Sequence, residues 1–543
     1  MKTRDLPSET SRTPITHNNT FTKKYKITKT HYNKTMQNKH IVIGIDSGTQ
    51  STKTLILDID NGTILATATA AYDLIDGLEE GAKEQNPADW INAVCKSVRQ
   101  AVTQANIAPA DIIAIGVSGQ QHGFVPLDAA GQVIRPAKLW CDTVTAPQCN
   151  QIMETLGGKD KTIAALGNPV LPGYTAGKIL WLKQHEPDNF KRLATVLLPH
   201  DYINYWLTGG NAVMEYGDAS GTALLDVRAR QWNLDALRAI DPDLPAKMPK
   251  LISSDQPAGT LCPAAAEAMG IPGAKAIISA GGGDNMMGAI GTGNVSEGVV
   301  TASFGTSGTI YACAEKPIID PNGEIAAFCD STNRWLPLLC TMNVTVATGM
   351  VSDFLGADIA ELNRLVNKAP VGSDGVILLP YLEGERTPNV PDGTGVFYGI
   401  NTKTLRPENL ARAAMEGVTL GMNYGLTRLN ELGVRATQIR VTGGGSKSPT
   451  WRQIMADIFN AEVLTLEVSE GAAYGAAIQA LWCYNNANNR PATIQALCNQ
   501  YIRLNNAEIA KPIPANVAVY QRLQKIQNEL SQALRPAFKM SRN

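Results

Sequence analysis

Short apolar runs separated by turn residues begin at residue 39 of the 543-residue chain. The stretch KHIVIGIDSGTQSTKTLILDIDNG, residues 39–62, contains an apolar run, a turn rich in Gly, Ser and Thr, a second apolar run and the turn signal Asn61-Gly62. Such a pattern is typical of successive antiparallel strands. A later stretch, EGVVTASFGTSGTIYACAE at residues 297–315, repeats this design and indicates a weak internal repeat.

Helical periodicity follows the first of these strand regions. Asn86 can cap a helix and Pro87 suits its first position. Apolar residues then recur at helical spacing, namely Trp90, Val94, Val98 and Val102. The apolar run DIIAIGVSG predicts a strand directly after this helix.

The second half of the chain shows the same alternation. Pro407 and Gly433 predict the start and the end of a long helix. A strand TQIRVTGGG, a helix opened by Ser448 and Pro449, and a strand EVLTLEV follow it. Each half thus combines strand hairpins with strand–helix alternation, which favours two α/β domains facing each other across a cleft.

We predict four segments along the chain. An N-terminal domain covers residues 40–275 and a C-terminal domain covers residues 276–530, with a C-terminal tail at 531–543. Residues 1–39 are rich in Thr, Lys and Asn and poor in large aliphatic side chains, so we expect a disordered tail there rather than a targeting peptide. Met36 is a plausible true start of the protein.

Composition excludes several classes of protein. With 44% hydrophobic and 18% charged residues, the chain can bury ordinary cores. Lys and Arg number 48 against 49 Asp and Glu, so no charge bias implies a nucleic-acid or membrane partner. The 9 cysteines form no CxxC pair, which argues against a disulfide framework or a zinc site and favours the reducing cytoplasm.

Two similar turns carry candidate phosphate chemistry. Asp46 ends the first strand and is followed by Gly48 and Thr49; backbone N–H groups of such turns can hold phosphate oxygens, while the carboxylate meets Mg²⁺ through water. A plain hairpin turn is the alternative interpretation. The near-repeat at Gly305 and Thr306 favours phosphate binding, because two such turns can clamp a polyphosphate from both sides.

Two further glycine-rich stretches remain. Gly443 and Gly444 lie between a predicted strand and a helix, where they either let a nucleotide approach the backbone or form a tight connection. Neither a Walker A motif nor a GxGxxG motif occurs in the chain. In SAGGGDNMMGAIG, residues 279–291, three glycines precede Asp284, which on this stretch alone is simply predicted to cap a helix.

Many ordered stretches resemble one family, the FGGY group of sugar and polyol kinases, and within it the kinases acting on xylulose. The resemblance covers about residues 40–530 and rests on IGIDSGTQSTK, GVSGQQHGFVPLD, LWCDTVTAPQ, PGYTAGKILWLKQHEP, LLPHDYINYWLTG, DASGTALLDV, AGGGDN, SFGTSG, LPYLEGERTP and VTGGGSKSPTWRQIMAD. It implies two actin/hexokinase-like (ribonuclease H-like) ATPase domains. The implied activity is ATP- and Mg²⁺-dependent phosphorylation of D-xylulose to D-xylulose 5-phosphate.

The resemblance also implies roles for individual residues. Asp284 stands where the family keeps its catalytic base, and a helix N-terminus is expected to keep its carboxylate ionised and weakly basic. The sugar would contact Asp284 together with Gln121, His122 and Asn285. The phosphates would be held by Gly48, Thr49, Gly305 and Thr306, and the adenosine by Gly443 and Gly444. Some relatives carry Met in place of Gln121, and WCDTVT departs from a WNDGR-like version in others, so no anion-binding Arg is expected there.

Two alternatives stay open from the sequence. A sister kinase for another ketopentose, a polyol or a sugar acid would share the nucleotide motifs and differ in the sugar loop. An actin- or chaperone-like ATPase would instead act on a protein partner. A small-molecule sugar is favoured over such a partner by the GQQHG loop and by Asp284. The oligomeric state stays open, with a homodimer as one candidate.

Overall fold

The apolar runs between residues 41 and 71 form three antiparallel strands, as their pattern predicts. A computed structural model describes residues 39–468 and 471–541, which lie in one compact unit. The predicted N-terminal tail falls outside the described residues, apart from Lys39. Within the described part of the chain, no helix is both long enough and apolar enough to cross a membrane.

The first sheet combines this antiparallel group with parallel strands. The strand Ile41–Ser47 pairs antiparallel with Ser51–Asp58 and parallel with Ile112–Gly119. In the sheet, the order is Pro257–Thr260, Ile277–Ser279, Ile112–Gly119, Ile41–Ser47, Ser51–Asp58 and Thr63–Ala71, and the short strand Gly282–Gly283 also pairs with Ile112–Gly119.

The second sheet repeats this plan and confirms the predicted internal repeat. Its first strand, Val299–Phe304, pairs antiparallel with Gly308–Ala312 and parallel with Gln438–Thr442. The order is Ala326–Cys329, Trp335–Thr341, Gly308–Ala312, Val299–Phe304, Gln438–Thr442 and Glu462–Leu464. In each sheet, a hairpin turn and the carboxyl ends of parallel strands therefore lie at the same edge. Ligands of α/β folds commonly bind at such an edge.

Two-stranded ribbons and helices complete the fold. The ribbons pair Glu84–Gln85 with Ala137–Lys138, Val125–Leu127 with Thr195–Leu197, Val213–Glu215 with Lys250–Ile252, Leu225–Asp226 with Gln231–Trp232, and Ile377–Pro380 with Gly395–Tyr398. The α-helices are Pro87–Ala105, Ala146–Thr155, Lys159–Leu166, Thr175–His185, Pro187–Arg192, Pro199–Thr208, Tyr216–Ser220, Leu234–Ile240, Pro263–Ala268, Asp284–Gly291, Thr345–Phe354, Ile359–Lys368, Pro407–Glu431, Pro449–Phe459, Gly471–Ala487, Ile494–Tyr501, Pro514–Ala533 and Arg535–Ser541.

The predicted helix starts are confirmed by their caps. The Asn86 side chain accepts a hydrogen bond from the backbone N–H of Ala88, and the Ser448 hydroxyl accepts one from Trp451. Gly433 follows the end of the long helix with a φ of +98°, a conformation that favours glycine.

Two predicted boundaries differ from the structure. The strand Ile277–Ser279 belongs to the first sheet, so this sheet continues past residue 275. At the C-terminus, the helix Pro514–Ala533 runs across residue 531, and Phe538 in the next helix is buried against Leu379 and Tyr381. The apolar side chain of Phe538 explains why this segment packs on the body of the protein.

The helix Gly471–Ala487, which we call the central helix, lies directly against the first sheet. An added Cβ at Gly44 or Gly116 would lie 1.9 Å or 2.0 Å from a carbonyl oxygen of this helix. At Gly291, in the helix Asp284–Gly291, an added Cβ would lie 1.7 Å from the Gly471 carbonyl oxygen. These contacts exclude any side chain, so the central helix, the first sheet and the helix Asp284–Gly291 form one tightly packed block.

Candidate active site

A cavity of about 260 Å³ lies where the glycine-rich turns of both sheets meet. Four of the sequence-predicted residues line this cavity: Asp46, Asp284, Asn285 and Gly443. Asp46 lies near the end of the strand Ile41–Ser47 of the first sheet, and Asp284 directly follows the short strand Gly282–Gly283 of the same sheet. Gly443 follows the strand Gln438–Thr442 of the second sheet. The cavity thus has one wall from each half of the chain.

Asp284 occupies the first position of its helix, and Gly283 is the N-cap residue. The prediction that Asp284 caps the helix is therefore wrong by one position. Its Oδ1 accepts a hydrogen bond from the Asn285 backbone N–H (2.8 Å) and one from the Asn285 side chain (3.0 Å). These bonds fix the carboxylate beside the cavity.

The surroundings of Asp284 make it a stronger base than expected. Burial raises the pKa of its carboxyl to about 7, and the nearby carboxylate of Asp46 adds to this effect, although the hydrogen bonds from Asn285 oppose it. The expectation that the helix N-terminus keeps this residue weakly basic is wrong, because burial and the like charge outweigh the helix dipole. A carboxyl group with a pKa near 7 is well matched to proton abstraction at physiological pH.

Asp46 is held at the edge of the first sheet by a neighbouring strand. The Ser118 hydroxyl donates to its Oδ1 over 2.8 Å, and Lys53 lies opposite it in the antiparallel pair. Lys53 also lines the cavity. A carboxylate in a polar cavity supplies the oxygen ligand that Mg²⁺ prefers, so Asp46 fits the predicted metal role.

Gln121 connects the predicted sugar loop to Asn285. Its Oε1 accepts a hydrogen bond from Asn285 Nδ2 at 2.9 Å, and its side chain packs over Gly283, where an added Cβ would lie 2.5 Å from Gln121 Cγ. The Nε2 atom of Gln121 is buried and has no hydrogen-bond partner among the described residues. An unpaired buried amide is costly, which indicates that a polar ligand completes this group.

His122 is held in a strained backbone conformation, with a φ of +65°. Its carbonyl oxygen accepts hydrogen bonds from Lys178 Nζ (2.7 Å) and from the Thr175 hydroxyl (3.1 Å). Its ring packs 4.8 Å from Tyr174 and 5.6 Å from Phe328, centroid to centroid. Burial, with a contribution from Lys178, lowers the pKa of His122 to about 3, so the imidazole is neutral at physiological pH.

The remaining predicted residues lie in the turns next to these walls. Gly48 donates its N–H to Ser51, and Thr49 accepts a hydrogen bond from Trp140 Nε1 at 3.0 Å. The carbonyl groups of Gly305 and Thr306 accept hydrogen bonds from the first residues around the helix Thr345–Phe354. These contacts brace the two turns against their own domains.

Gly443 and Gly444 form the turn at the end of the strand Gln438–Thr442 and are both exposed. Gly443 has a φ of +83°, and an added Cβ would lie 2.6 Å from the Phe304 carbonyl oxygen. The turn therefore packs directly against the one that contains Gly305, and only glycine fits there.

Two domain descriptions match most of the chain. The N-terminal domain of the FGGY family of carbohydrate kinases matches residues 41–291, and the C-terminal domain of that family matches residues 300–484. The chain belongs to the FGGY family of carbohydrate kinases. The interval between the two matches places the domain boundary after the helix Asp284–Gly291, in agreement with the extent of the first sheet.

Individual FGGY kinases resemble the chain over nearly its whole length. A xylulose kinase from Haemophilus influenzae is 42% identical over 485 residues, covering 88% of this chain and 97% of that protein. The crystal structure of a xyloylose kinase from Brucella ovis has a TM-score of 0.84 at 31% identity and covers 92% of this chain and all of its own. A xylulose kinase structure from Bifidobacterium adolescentis has a TM-score of 0.76 at 30% identity, over 89% of this chain and 99% of that one. These matches confirm the predicted family and the two-domain actin/hexokinase-like fold.

Several cavity residues of this FGGY kinase were not singled out by the sequence. They are Lys53, Gly288, Thr292, Ser303, Thr309, Tyr311, Thr442, Gly471 and Ala472. Lys53 gave a usable signal, because a lysine within a largely apolar strand two positions from its start needs a polar environment. The others are ordinary strand or helix residues whose role depends on how the two halves approach each other.

A buried charged group also escaped the sequence analysis. His200 is fully buried, with Nδ1 2.5 Å from Asp218 and Nε2 3.2 Å from Asp201. Although burial alone would lower its pKa, the carboxylates of Asp201 and Asp218 raise the pKa of His200 to about 10. The hydrogen bond with Asp218 and the ion-pair contact with Asp201 make His200 part of a buried cluster of charges, which also contacts the Ala280 carbonyl oxygen next to the glycines that precede Asp284.

Proposed function

We propose that this FGGY kinase transfers the γ-phosphate of ATP to the terminal hydroxyl of D-xylulose and so produces D-xylulose 5-phosphate. The observation that carries the proposal is the buried Asp284 carboxyl in the cavity between the two sheets, with a pKa near 7 and a position next to Asn285 and Gln121. The names of the FGGY relatives from Haemophilus influenzae and Bifidobacterium adolescentis support xylulose as the sugar.

In this mechanism the first half of the chain binds and activates the sugar. The Nε2 of Gln121 donates a hydrogen bond to one sugar hydroxyl. The neutral His122 side chain and Asn285 contact other hydroxyl groups of the sugar. Asp284 accepts the proton of the attacking hydroxyl as the hydroxyl oxygen bonds to the γ-phosphorus, while the bond from this phosphorus to the bridging oxygen breaks and ADP leaves. Since phosphoryl transfer depends mostly on position and charge neutralisation, a single carboxylate is sufficient as base.

The glycine-rich turns hold the nucleotide. Gly48, Thr49, Gly305 and Thr306 contact the phosphates, and Gly443 and Gly444 lie against the adenosine. Asp46 would hold Mg²⁺ through water, and Lys53 lies opposite Asp46 in the same cavity. When bound, Mg²⁺ neutralises phosphate charge that would otherwise repel the attacking oxygen.

We further propose that the enzyme acts in the cytoplasm and forms a homodimer. All nine cysteines lie in the described part of the chain as free thiols, in keeping with a reducing compartment. Phe354 and Ile359 are each 79% exposed, and a subunit contact over them would remove apolar surface from water. Light scattering after gel filtration tests this: a mass near twice 58.1 kDa is expected, and a mass near 58.1 kDa would contradict it.

A coupled ADP-release assay tests the substrate. We expect rapid turnover with D-xylulose, and much slower turnover with D-ribulose, glycerol, gluconate or no sugar. Preference for one of the other sugars would assign the chain to a sister activity of the FGGY family. Equal ATP hydrolysis with and without every sugar would contradict a sugar kinase.

A further inference from the structure

The base proposed above follows a segment that has few side chains of its own. Residues 279–283, which we call the glycine loop, contain Gly281, Gly282 and Gly283 directly before Asp284. Gly281 has a φ of +73°. Because glycine is the most flexible residue, other parts of the protein must hold this loop if Asp284 is to keep one position.

Gln479 holds the glycine loop through both ends of its amide. Its Nε2 donates to the Gly281 carbonyl oxygen and its Oε1 accepts from the Gly281 N–H, each over 2.9 Å. The same Oε1 accepts a hydrogen bond from the Ser279 hydroxyl at 2.9 Å. The side chain of Gln479 therefore pairs with Gly281 as a neighbouring strand would.

The opposite side of the loop is held at another residue. His200 Nε2 lies 3.2 Å from the Ala280 carbonyl oxygen, and Asn204 Nδ2 donates to the same oxygen at 2.9 Å. Gln479 thus provides the side-chain hydrogen bonds to Gly281 in the described residues, and it is completely buried.

Gln479 also connects the loop with the nucleotide side of the cavity. It lies on the central helix, whose first residues, Gly471 and Ala472, line the cavity beside Gly443. Gln479 lies eight positions after Gly471, which corresponds to about 12 Å at the helical rise. Since glycine contacts lock this helix onto the first sheet, it forms a rigid link between the cavity and the glycine loop.

We propose that Gln479 is a positioning residue for phosphoryl transfer: its two hydrogen bonds to Gly281 set the glycine loop so that the Asp284 carboxylate faces the sugar hydroxyl. This inference deepens the proposed kinase function and rests on it. The position of the base is thereby tied to the central helix, which also borders the nucleotide.

The test compares Gln479→Met with a matched variant. Methionine has a similar length and lacks the amide oxygen and the amide nitrogen, so the loop loses its hydrogen bonds to residue 479. Displacement of a reacting group by about 1 Å can cost about 100-fold in rate. We expect kcat to fall 10- to 100-fold, while KM for ATP and for xylulose changes less than threefold.

Gln527→Met is the matched control. The buried Gln527 amide donates to the carbonyl oxygens of Leu378 (3.1 Å) and Gly417 (2.9 Å), and it does not line the catalytic cavity. This variant should lose a comparable amount of thermal stability and keep its kcat. A kcat for Gln479→Met within twofold of the wild type, or equal losses of kcat in both variants, would overturn the proposal.

Two further measurements keep the inference separate from the kinase assignment. Hydrogen exchange at the Gly281 amide should be faster in Gln479→Met than in the wild type, whatever the substrate is, and unchanged exchange would refute the contact. Gln479→Glu is the second variant, to be used if Gln479→Met fails to fold. It retains the acceptor for the Gly281 N–H and loses the donor to the Gly281 carbonyl oxygen, so its kcat should lie between that of the wild type and the value expected for Gln479→Met. A glutamate variant with full kcat would count against positioning. If the wild type phosphorylates no sugar, the proposed function fails while the exchange result still decides the role of Gln479.

Discussion

Replacement of Asp284 by asparagine separates its chemical role from its structural role. The asparagine side chain can still accept the hydrogen bond from the Asn285 backbone N–H, so the start of the helix Asp284–Gly291 is preserved. It cannot accept the proton of the sugar hydroxyl. We therefore expect kcat to fall about 10²- to 10⁴-fold, the usual contribution of a positioned general base.

The same substitution should leave the protein as stable as the wild type, or more stable, at alkaline pH. Burial and Asp46 raise the pKa of the Asp284 carboxyl from 3.8 to about 7, so ionisation is less favourable in the folded than in the unfolded state. This penalty grows as pH rises above 3.8 and is complete above about 7. It corresponds to at most about 4 kcal/mol, and to less because the residue is partly exposed to the cavity.

The assays are coupled ADP release for kcat and thermal unfolding at pH 5 and pH 8. The exposed carboxylate of Asp89, near the start of the helix Pro87–Ala105, provides a control as Asp89→Asn, which should keep its kcat. The gain in melting temperature of Asp284→Asn over the wild type should be larger at pH 8 than at pH 5. Near-normal kcat combined with a lower melting temperature at pH 8 would refute this account of Asp284.

Four other outcomes are expected. The kcat/KM for the sugar should rise as pH increases through about 7 and level off above it, because free Asp284 must be ionised to act as base; a profile flat from pH 5.5 to 8.5 would contradict this. Lys178→Met should raise KM for the sugar about 10-fold with little change in KM for ATP, since Lys178 holds the His122 carbonyl; equal changes in both constants would point to general misfolding. Trp140→Phe removes a hydrogen bond to Thr49 worth about 1 kcal/mol, so KM for ATP should rise roughly fivefold, and an unchanged value would argue against phosphate contact by this turn. ATP should reduce the radius of gyration in small-angle scattering, because its phosphates would contact Gly48 in the first half of the chain and Gly305 in the second; an unchanged radius would argue against domain closure.

Local sequence signals predicted the elements and their repeat because those signals depend on nearby residues. The Asn86 and Ser448 caps, the Gly433 stop and the hairpin turn after Asp46 all appear where alternation and helical spacing indicate them. The boundary near residue 275 was misplaced since Ile277–Ser279 joins the first sheet through pairing with a strand about 160 residues earlier. No local pattern reports such a pairing.

The site was predictable to the extent that its residues lie in recognisable turns. Asp46, Asp284, Asn285 and Gly443 do line one cavity. The basicity of Asp284 was not predictable, because it depends on burial and on a second carboxylate 238 positions away in the sequence. The hydrogen bonds between Gln479 and Gly281 were likewise not predictable, since a single glutamine in an alanine-rich helix resembles any other buried polar residue.

The most direct test of the central claim is to identify the product by ³¹P NMR after incubation of the enzyme with ATP, Mg²⁺ and D-xylulose. The account predicts a phosphate ester on C5 of xylulose, formed in equal amount to ADP and greatly reduced with Asp284→Asn. Release of inorganic phosphate in place of a sugar ester, at the same rate with and without xylulose, would contradict it.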